Sequence, residues 1–373
     1  MSVSSQRGHI AWAVQTAKAG TATGFATGSL SSDWQRHRAE SVTLGVNDLY
    51  DVLPLEVGGS LFVNSSYKNG AFVAGGARLF SRLQGTIGYL IHGAAGKATQ
   101  AATGNGSSVP YKTRFEVNPA DETQMPWMAL RKFTPAAQGA TGITEYFIDC
   151  RLNMLTISVP AMGPIMMEFM VVGRKPELDD GEGLTAADVA FESGVGLAHG
   201  CKGEITLSGF TGLNLPFASA ADGKFTSAQI MIANNISQPD QQMIIGSYHP
   251  DDLVPLSRAV QLRLIYKWQD PKLYKKLYYA GGTGNDVQWS PVVGNSPISV
   301  KSSSVTNIPG ATVPYSFEFV AGDVDWTMTP PQLAGNNLLF CEFTGIVKGG
   351  NNPGTPAWYI DLVNMNDYDD LIP

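Results

Sequence analysis

Alternation of apolar and polar positions marks the extended segments of this 373-residue chain. The clearest runs from Arg258 to Trp268. Val260, Leu262, Leu264, Tyr266 and Trp268 fall on one face, and Gln261, Arg263 and Lys267 on the other, as in a half-buried strand. Tyr315 to Val320 groups Tyr315, Phe317 and Phe319, and Asp323 to Met328 groups Val324, Trp326 and Met328; Ala321-Gly322 between them predicts a tight turn. Helical patterning is confined to short stretches. After Asp270, Pro271 suits a first helical turn, Leu273 and Leu277, like Tyr274 and Tyr278, recur four residues apart, and Gly281 offers a stop. In the first half, Phe72 to Gly96 reads as an extended stretch followed by an apolar helix with Leu83, Ile87, Leu90 and Ile91, ending on Ala95-Gly96.

These elements recur. The strand, helix and Ala-Gly ending of the first half match the strand from Arg258 and the helix ending on Ala280-Gly281. Leu155 to Gly173 likewise matches Trp326 to Gly345, with Pro160 answering Pro330 and Glu168-Phe169 answering Glu342-Phe343. The matched positions lie roughly 170–185 residues apart, the mark of a duplicated domain with diverged loops. The predicted organisation is an arm at 1–35, a first domain at 36–176, an acidic and Gly-rich linker region at 177–223, a second domain at 224–350 and a tail at 351–373. Within it, Lys97 to Ser108 reads as a mobile loop and Pro176 to Ala190 as a linker. Arm, loop and tail are too poor in apolar residues to build a core, so they are expected to order against other subunits.

Composition sharpens the class. With 41 Gly, 22 Pro and no sustained helical period, the chain is mainly β, and at this length two cores are expected. Charged residues make up only 15%, so much of the polar surface is Ser, Thr, Asn, Gln and Gly. A net charge of −7 argues against a general nucleic-acid binder, which needs a basic face for phosphate. The N-terminus lacks the apolar core of a signal peptide, and no apolar run is long enough to span a membrane. Cys150, Cys201 and Cys341 are odd in number and far apart, which supports neither a disulfide framework nor a zinc site and fits a reducing compartment.

Candidate chemistry is thin. His9, His37, His92, His199 and His249 show no metal-site spacing and read as surface or cap residues. Gly104–Ser108, Gly282–Asn285 and Gly349–Asn352 lack the Lys-Ser/Thr of a phosphate loop. The pairs Asp179-Asp180, Asp251-Asp252 and Asp369-Asp370 sit in polar loops, where solvated charge is the plain reading rather than glycoside hydrolysis. Lys267, Lys272, Lys275 and Lys276, with Arg258 and Arg263, form a basic region interleaved with Tyr274, Tyr278 and Tyr279. Such a mixture can hold single-stranded nucleic acid, but a solvated helix face or pairing with a neighbour's acids explains it more simply. Met162, Met166, Met167 and Met170 suit an apolar interface or core. No catalytic, cofactor-binding or metal-binding residue is assigned.

The order of an extended N-terminal part, a strand, the helix segment DPKLYKKLYYAGG, a long loop and a terminal hairpin resembles the tail tube, or major tail, proteins of long-tailed phages. Leu53 to Gly96 resembles the segment that leads into that family's helix. The resemblance implies a β-sandwich or half-barrel domain with one short helix, whose inner sheet joins neighbours around a DNA ejection channel in six-fold rings of single domains; the duplication departs from that pattern by placing two such domains in tandem. The resemblance further implies a homo-oligomeric ring stacked into a tube in the virion tail and assembled in the host cytoplasm. Other tail proteins would be partners, and DNA would pass through without specific binding. With two domains per chain, the expected ring is a trimer with pseudo-six-fold symmetry. The alternative is a two-domain β-sandwich binding module, carbohydrate-binding or capsid-decorating, that exposes Trp127, Trp289 and Trp358.

Overall fold

The structure, a computed structural model, describes the chain outside residues 1–7, 16, 20–33, 53–65, 86, 103–109, 119, 137–141, 179–195, 208–224, 269–273, 275–277, 279–296, 332–337, 350–355, 369–370 and 372–373. In chain order its first strands are β1 (His9–Gln15), β2 (Gln35–His37), β3 (Ala39–Val42), β4 (Gly45–Val52) and β5 (Ser66–Phe80), followed by helix α1 (Ile87–Ala95). Then come β6 (Lys97–Ala102), β7 (Tyr111–Glu116), β8 (Trp127–Thr134), β9 (Ile143–Pro160), β10 (Met166–Leu178) and β11 (Ala198–Leu207). The second half holds β12 (Phe225–Ala233), β13 (Ala259–Lys267), β14 (Ile298–Asn307), β15 (Pro314–Ala321), β16 (Val324–Thr329), β17 (Phe340–Val347) and β18 (Trp358–Asn364). The protein is mainly β, as its turn-rich sequence requires.

The strands form two antiparallel sheets. The larger, of 12 strands, runs β16-β17-β13-β12-β9-β10-β5-β3, with β4 also on β5 and β8, β1 and β2 branching from β9. The smaller, of 6, runs β11-β14-β15-β18-β7-β6. Alternation drives the packing: Val260, Leu262, Leu264 and Tyr266 of β13 are buried as the period-2 pattern demands, and Tyr315, Phe317 and Phe319 of β15 likewise. Helix α1 touches β9 of the large sheet and β6, β7 and β18 of the small one, and all nine of its residues are buried. It is apolar all round because it has no wet side. Gly96, at φ +105, ends it and donates its N–H to the His92 carbonyl at 2.8 Å.

Two runs of the large sheet have the same build. Strands β4, β5, β10 and β9 lie side by side in that order, as do β12, β13, β17 and β16. In each run the second strand leads to helical residues and then to a hairpin of the small sheet, β6–β7 or β14–β15. The registers agree as well. Phe169 stands opposite Ala77 and Leu155, and Phe343 opposite Leu264 and Met328. Glu168-Phe169 and Glu342-Phe343 are thus equivalent, whereas the prolines are not: Thr156 and Thr329 both face the Glu, yet Pro330 directly follows Thr329 while Pro160 stands four residues beyond Thr156.

Several expectations are corrected. The buried residues form one principal cluster from Ile10 to Leu371 through both halves, where two cores were expected, because both sheets are continuous across them. Residues 1–35 are not simply an arm: β1 is wholly buried, pairs with β8 and packs Trp12 against Phe169. Strands β2 and β3, parted only by Arg38, pair with β1 and β5, so that β1, β8, β9, β10, β5 and β3–β2 close a circuit of strands. The tail at 351–373 contains β18, held between β15 and β7, and the linker region at 177–223 contains β11, paired with β14. The loop from Lys97 begins as β6, while Gly104–Ser108 lie outside the described residues. Ala321-Gly322 does not close a hairpin: β15 belongs to the small sheet and β16 to the large, so the chain turns a corner there. Leu83 precedes α1, and of the predicted helix at 271–281 the described residues are Tyr274 and Tyr278, both helical. The Tyr278 hydroxyl donates to the Met328 carbonyl at 2.8 Å and accepts from its N–H at 3.0 Å.

Candidate assembly interface

The two four-strand runs meet within the chain at β12 and β9. Ala228 faces Val159, Ile230 faces Ile157 and Ile232 faces Leu155, and all six side chains are buried. Among the described residues the corresponding outer edges stay open: β16 pairs with β17 alone and β4 with β5 alone. By register, Val46 on β4 corresponds to Ile232, and Met328 on β16 to Leu155. Ile232 is 1% exposed at the internal joint, while Val46 at the open edge is 40% exposed. Among the described residues, Val46 lacks the neighbouring strand that covers Ile232. An open strand edge carries unpaired N–H and C=O groups and is a template for another strand.

The face of the large sheet turned away from α1 mixes polar side chains with methionines and isoleucines, and its charges are largely paired. One row crosses the whole sheet through Arg78, Glu168, Thr156, Met231, Gln261, Ile346 and Asp325. The next row contains Ser158, Gln229, Arg263, Thr344 and Thr327. Its cation is paired: Arg263 donates to both carboxylate oxygens of Glu342 at 2.6 and 2.7 Å, which raises the guanidinium pKa and lowers that of the acid. Arg78 meets Glu40 at 3.3 Å.

At one end of this sheet a polar clasp fixes Gln15 and the residues just beyond β1. Asp149, buried on β9 at φ +53, accepts from Gln15 Nε2 at 3.0 Å and from the Ala19 N–H at 2.7 Å, and its other oxygen pairs with Arg174 of β10. Arg174 also donates to the Pro250 carbonyl at 2.8 Å, and Lys18 meets Asp251 at 3.5 Å. The clasp ties residues 15–19 to the β12–β13 connection. Nothing in the sequence around Asp149 marks it, because its partners lie far along the chain.

The residues weighed from the sequence are dispersed. Arg258 is half-buried against the helix end, donating to the Ala95 and Gln124 carbonyls, and desolvation lowers its pKa to about 10. With Arg263 paired to Glu342, the described part of the basic region is not a free cationic face; Lys272, Lys275, Lys276 and Tyr279 lie outside the described residues. Asp251 faces Lys18, and Asp252 accepts from the Leu253 N–H at 2.8 Å. Asp179, Asp180, Asp369 and Asp370 lie outside the described residues, as do Gly282–Asn285 and most of Gly349–Asn352.

Three histidines read as surface or cap residues are instead buried. Burial lowers His9 to about 4, aided by the charges of Arg36 and Arg131. Burial also lowers His37 to about 4, against the opposing effect of its hydrogen bond with the Phe80 carbonyl, and His92 to about 4. Of the tryptophans expected on a binding surface, Trp358 is buried, Trp127 is partly covered and stacks under Arg151, and Trp289 lies outside the described residues. Cys150 and Cys341 are buried and Cys201 exposed, all as free thiols. Met167 lies in the core, while Met162 and Met170 face outward.

No curated protein matches the chain. The family model described as phage tail tube protein matches residues 5–337, which spans β1 through β16 and stops short of β17. The chain belongs to the phage tail tube protein family, whose members are structural components of the virion tail.

Proposed function

We propose that the chain is two copies of one tube unit in tandem, and that it closes with two further chains into a trimeric, pseudo-six-fold ring that stacks into a DNA ejection channel. The first unit corresponds roughly to residues 36–176 and the second to 224–350. The carrying observation is the β12–β9 joint, an intramolecular specimen of the contact that the open edges β4 and β16 would make between chains. Repeating one joint at a fixed angle closes a ring and removes the open edges. The face of the large sheet turned away from α1 then lines the lumen. DNA carries one phosphate charge per ~1.7 Å, so a lining of Thr, Ser, Gln, Met and paired arginine lets it slide where a row of unpaired cations would hold it. The work is mechanical and needs no catalytic group. The chain reaches its other tail partners at the two ends of the tube.

The internal register specifies the test. Ala233 faces Met154 in the joint, and the equivalent residues at the open edges are Asn47 and Thr327, both exposed. In a Cys201→Ser background, the double variant Asn47→Cys/Thr327→Cys is expected to oxidise, on assembly, to covalent dimers and trimers, because opposed Cβ atoms come within disulfide reach. Moving the second cysteine to Asp325 should abolish the cross-link. Assembled tubes that give no cross-link with the first pair, or a ladder that continues beyond the trimer, would overturn the ring.

A further inference from the structure

Strand pairing extends a sheet sideways, so a ring closed through β4 and β16 still leaves the strand ends facing along the tube axis. Both ends of the large sheet carry apolar side chains in the open. At the end marked by Ala233 and Ala259, the connection between β12 and β13 exposes Ile244, Tyr248 and a fully exposed Ile245. At the opposite end, marked by Pro160 and Lys267, the turn after β9 exposes Met162, and the start of β17 exposes Leu338 and Phe340.

The isoleucine-bearing connection is firmly fastened. The Ala71 N–H donates to the Tyr248 carbonyl at 2.8 Å, and His249 Nδ1 meets the Ala71 carbonyl at 3.1 Å. Arg174 donates to the Pro250 carbonyl at 2.8 Å, Arg151 to that of Leu253 at 2.6 Å, and the Ser237 N–H to that of Val254 at 2.8 Å. The backbone is held inward from β5, β9 and β10 while the isoleucines point to water. Apolar surface left in water forgoes the stabilisation that burial gives. A loop ordered in advance with its apolar residues outward loses little entropy when it docks.

We infer that Ile244 and Ile245 form a knob that docks on the Met162–Leu338–Phe340 end of a second copy of this chain in the adjacent ring, so that rings stack head to tail. The inference rests on the ring reading above. The two surfaces are different, which makes the contact heterologous, and a heterologous contact along an axis propagates without closing. The same Arg174 that holds Asp149 and the Ala19 carbonyl also holds this loop at Pro250.

The double variant Ile244→Ser/Ile245→Ser touches solvent-facing side chains and should keep the subunit's melting temperature. Electron microscopy is expected to show single rings in place of tubes, and Met162→Ser/Leu338→Ser should give the same result. Tubes of ordinary length from both double variants would overturn the inference. Loss of rings together with tubes would assign these residues to the lateral joint and overturn it as well. A second readout does not depend on making shorter tubes. In a Cys201→Ser background, Ile245→Cys should react rapidly with a maleimide in the free subunit and be shielded in tubes, while equal rates in both would refute the docking. If the unaltered protein forms no rings at all, it is the ring reading that fails.

Discussion

The imidazole of His37 stacks on Trp12 and meets the Phe80 carbonyl at 3.2 Å, while His92 lies on the buried helix near Phe115. Both have folded-state values of about 4, against about 6.5 in an unfolded chain, chiefly because burial penalises the cation. Above pH 6.5 both states are neutral at these positions and the full stability is present. As the pH falls from 6.5 to 4, the unfolded chain takes up protons that the fold excludes, and stability is lost by up to ~1.4 kcal/mol per pH unit per histidine. Asp361 does not blur this window: burial would raise its pKa, but hydrogen bonds from Arg114 and Lys112 hold it below the usual carboxylate range. Melting temperatures measured from pH 8 to 4 should therefore fall steeply below 6.5, and His37→Gln and His92→Gln should each flatten the slope whatever they cost at pH 8. Slopes parallel to the unaltered protein would show that these rings are not buried neutral.

At the scale of elements, α1 depends on the end of the chain. Tyr368 is fully buried against it, donating to the Gly85 carbonyl at 2.6 Å and accepting from Asn364 Nδ2 at 2.9 Å. A Cβ at Gly88 would stand 2.3 Å from the Tyr368 ring. Gly88→Ala gains about 1 kcal/mol of helix propensity, but relieving the clash costs about 1–3 kcal/mol, because the ring is hydrogen-bonded on both sides. A lowered denaturation midpoint is expected, and one that is unchanged or raised would mean that Tyr368 does not pack there. The β13, β15 and β16 faces were legible because each strand alternates cleanly. Strand β1 was not, since HIAWAVQ is buried on both faces and shows no alternation, and β18 was hidden in a segment that looks like a polar tail. Whether two adjacent strands form a hairpin or a corner, as at Gly322, depends on which sheet each joins.

For the whole molecule, one cluster of buried side chains joins both halves, and β18 ties the β14–β15 hairpin to the β6–β7 hairpin. The two halves of the chain therefore share their interior. Unassembled subunits are expected to unfold in a single cooperative transition, with the calorimetric enthalpy equal to the van't Hoff value. Two resolved transitions would mean that the halves hold together only at their surface.

By itself the sequence determined the class, the alternating faces of the central strands, and the resemblance to tail tube proteins. All of these depend on local period or on short matched segments, which a chain carries before it folds. Tertiary structure alone decided that the two halves share one sheet and one core, that His37 and His92 are buried, and that Asp149 clasps Gln15 and Ala19. It also decided that Val46 lies at an open edge while its counterpart Ile232 is covered. These are facts about which distant segments meet. The physical reason is that alternation tells which side of a strand is apolar, but only pairing across the sheet tells what, if anything, stands beside it.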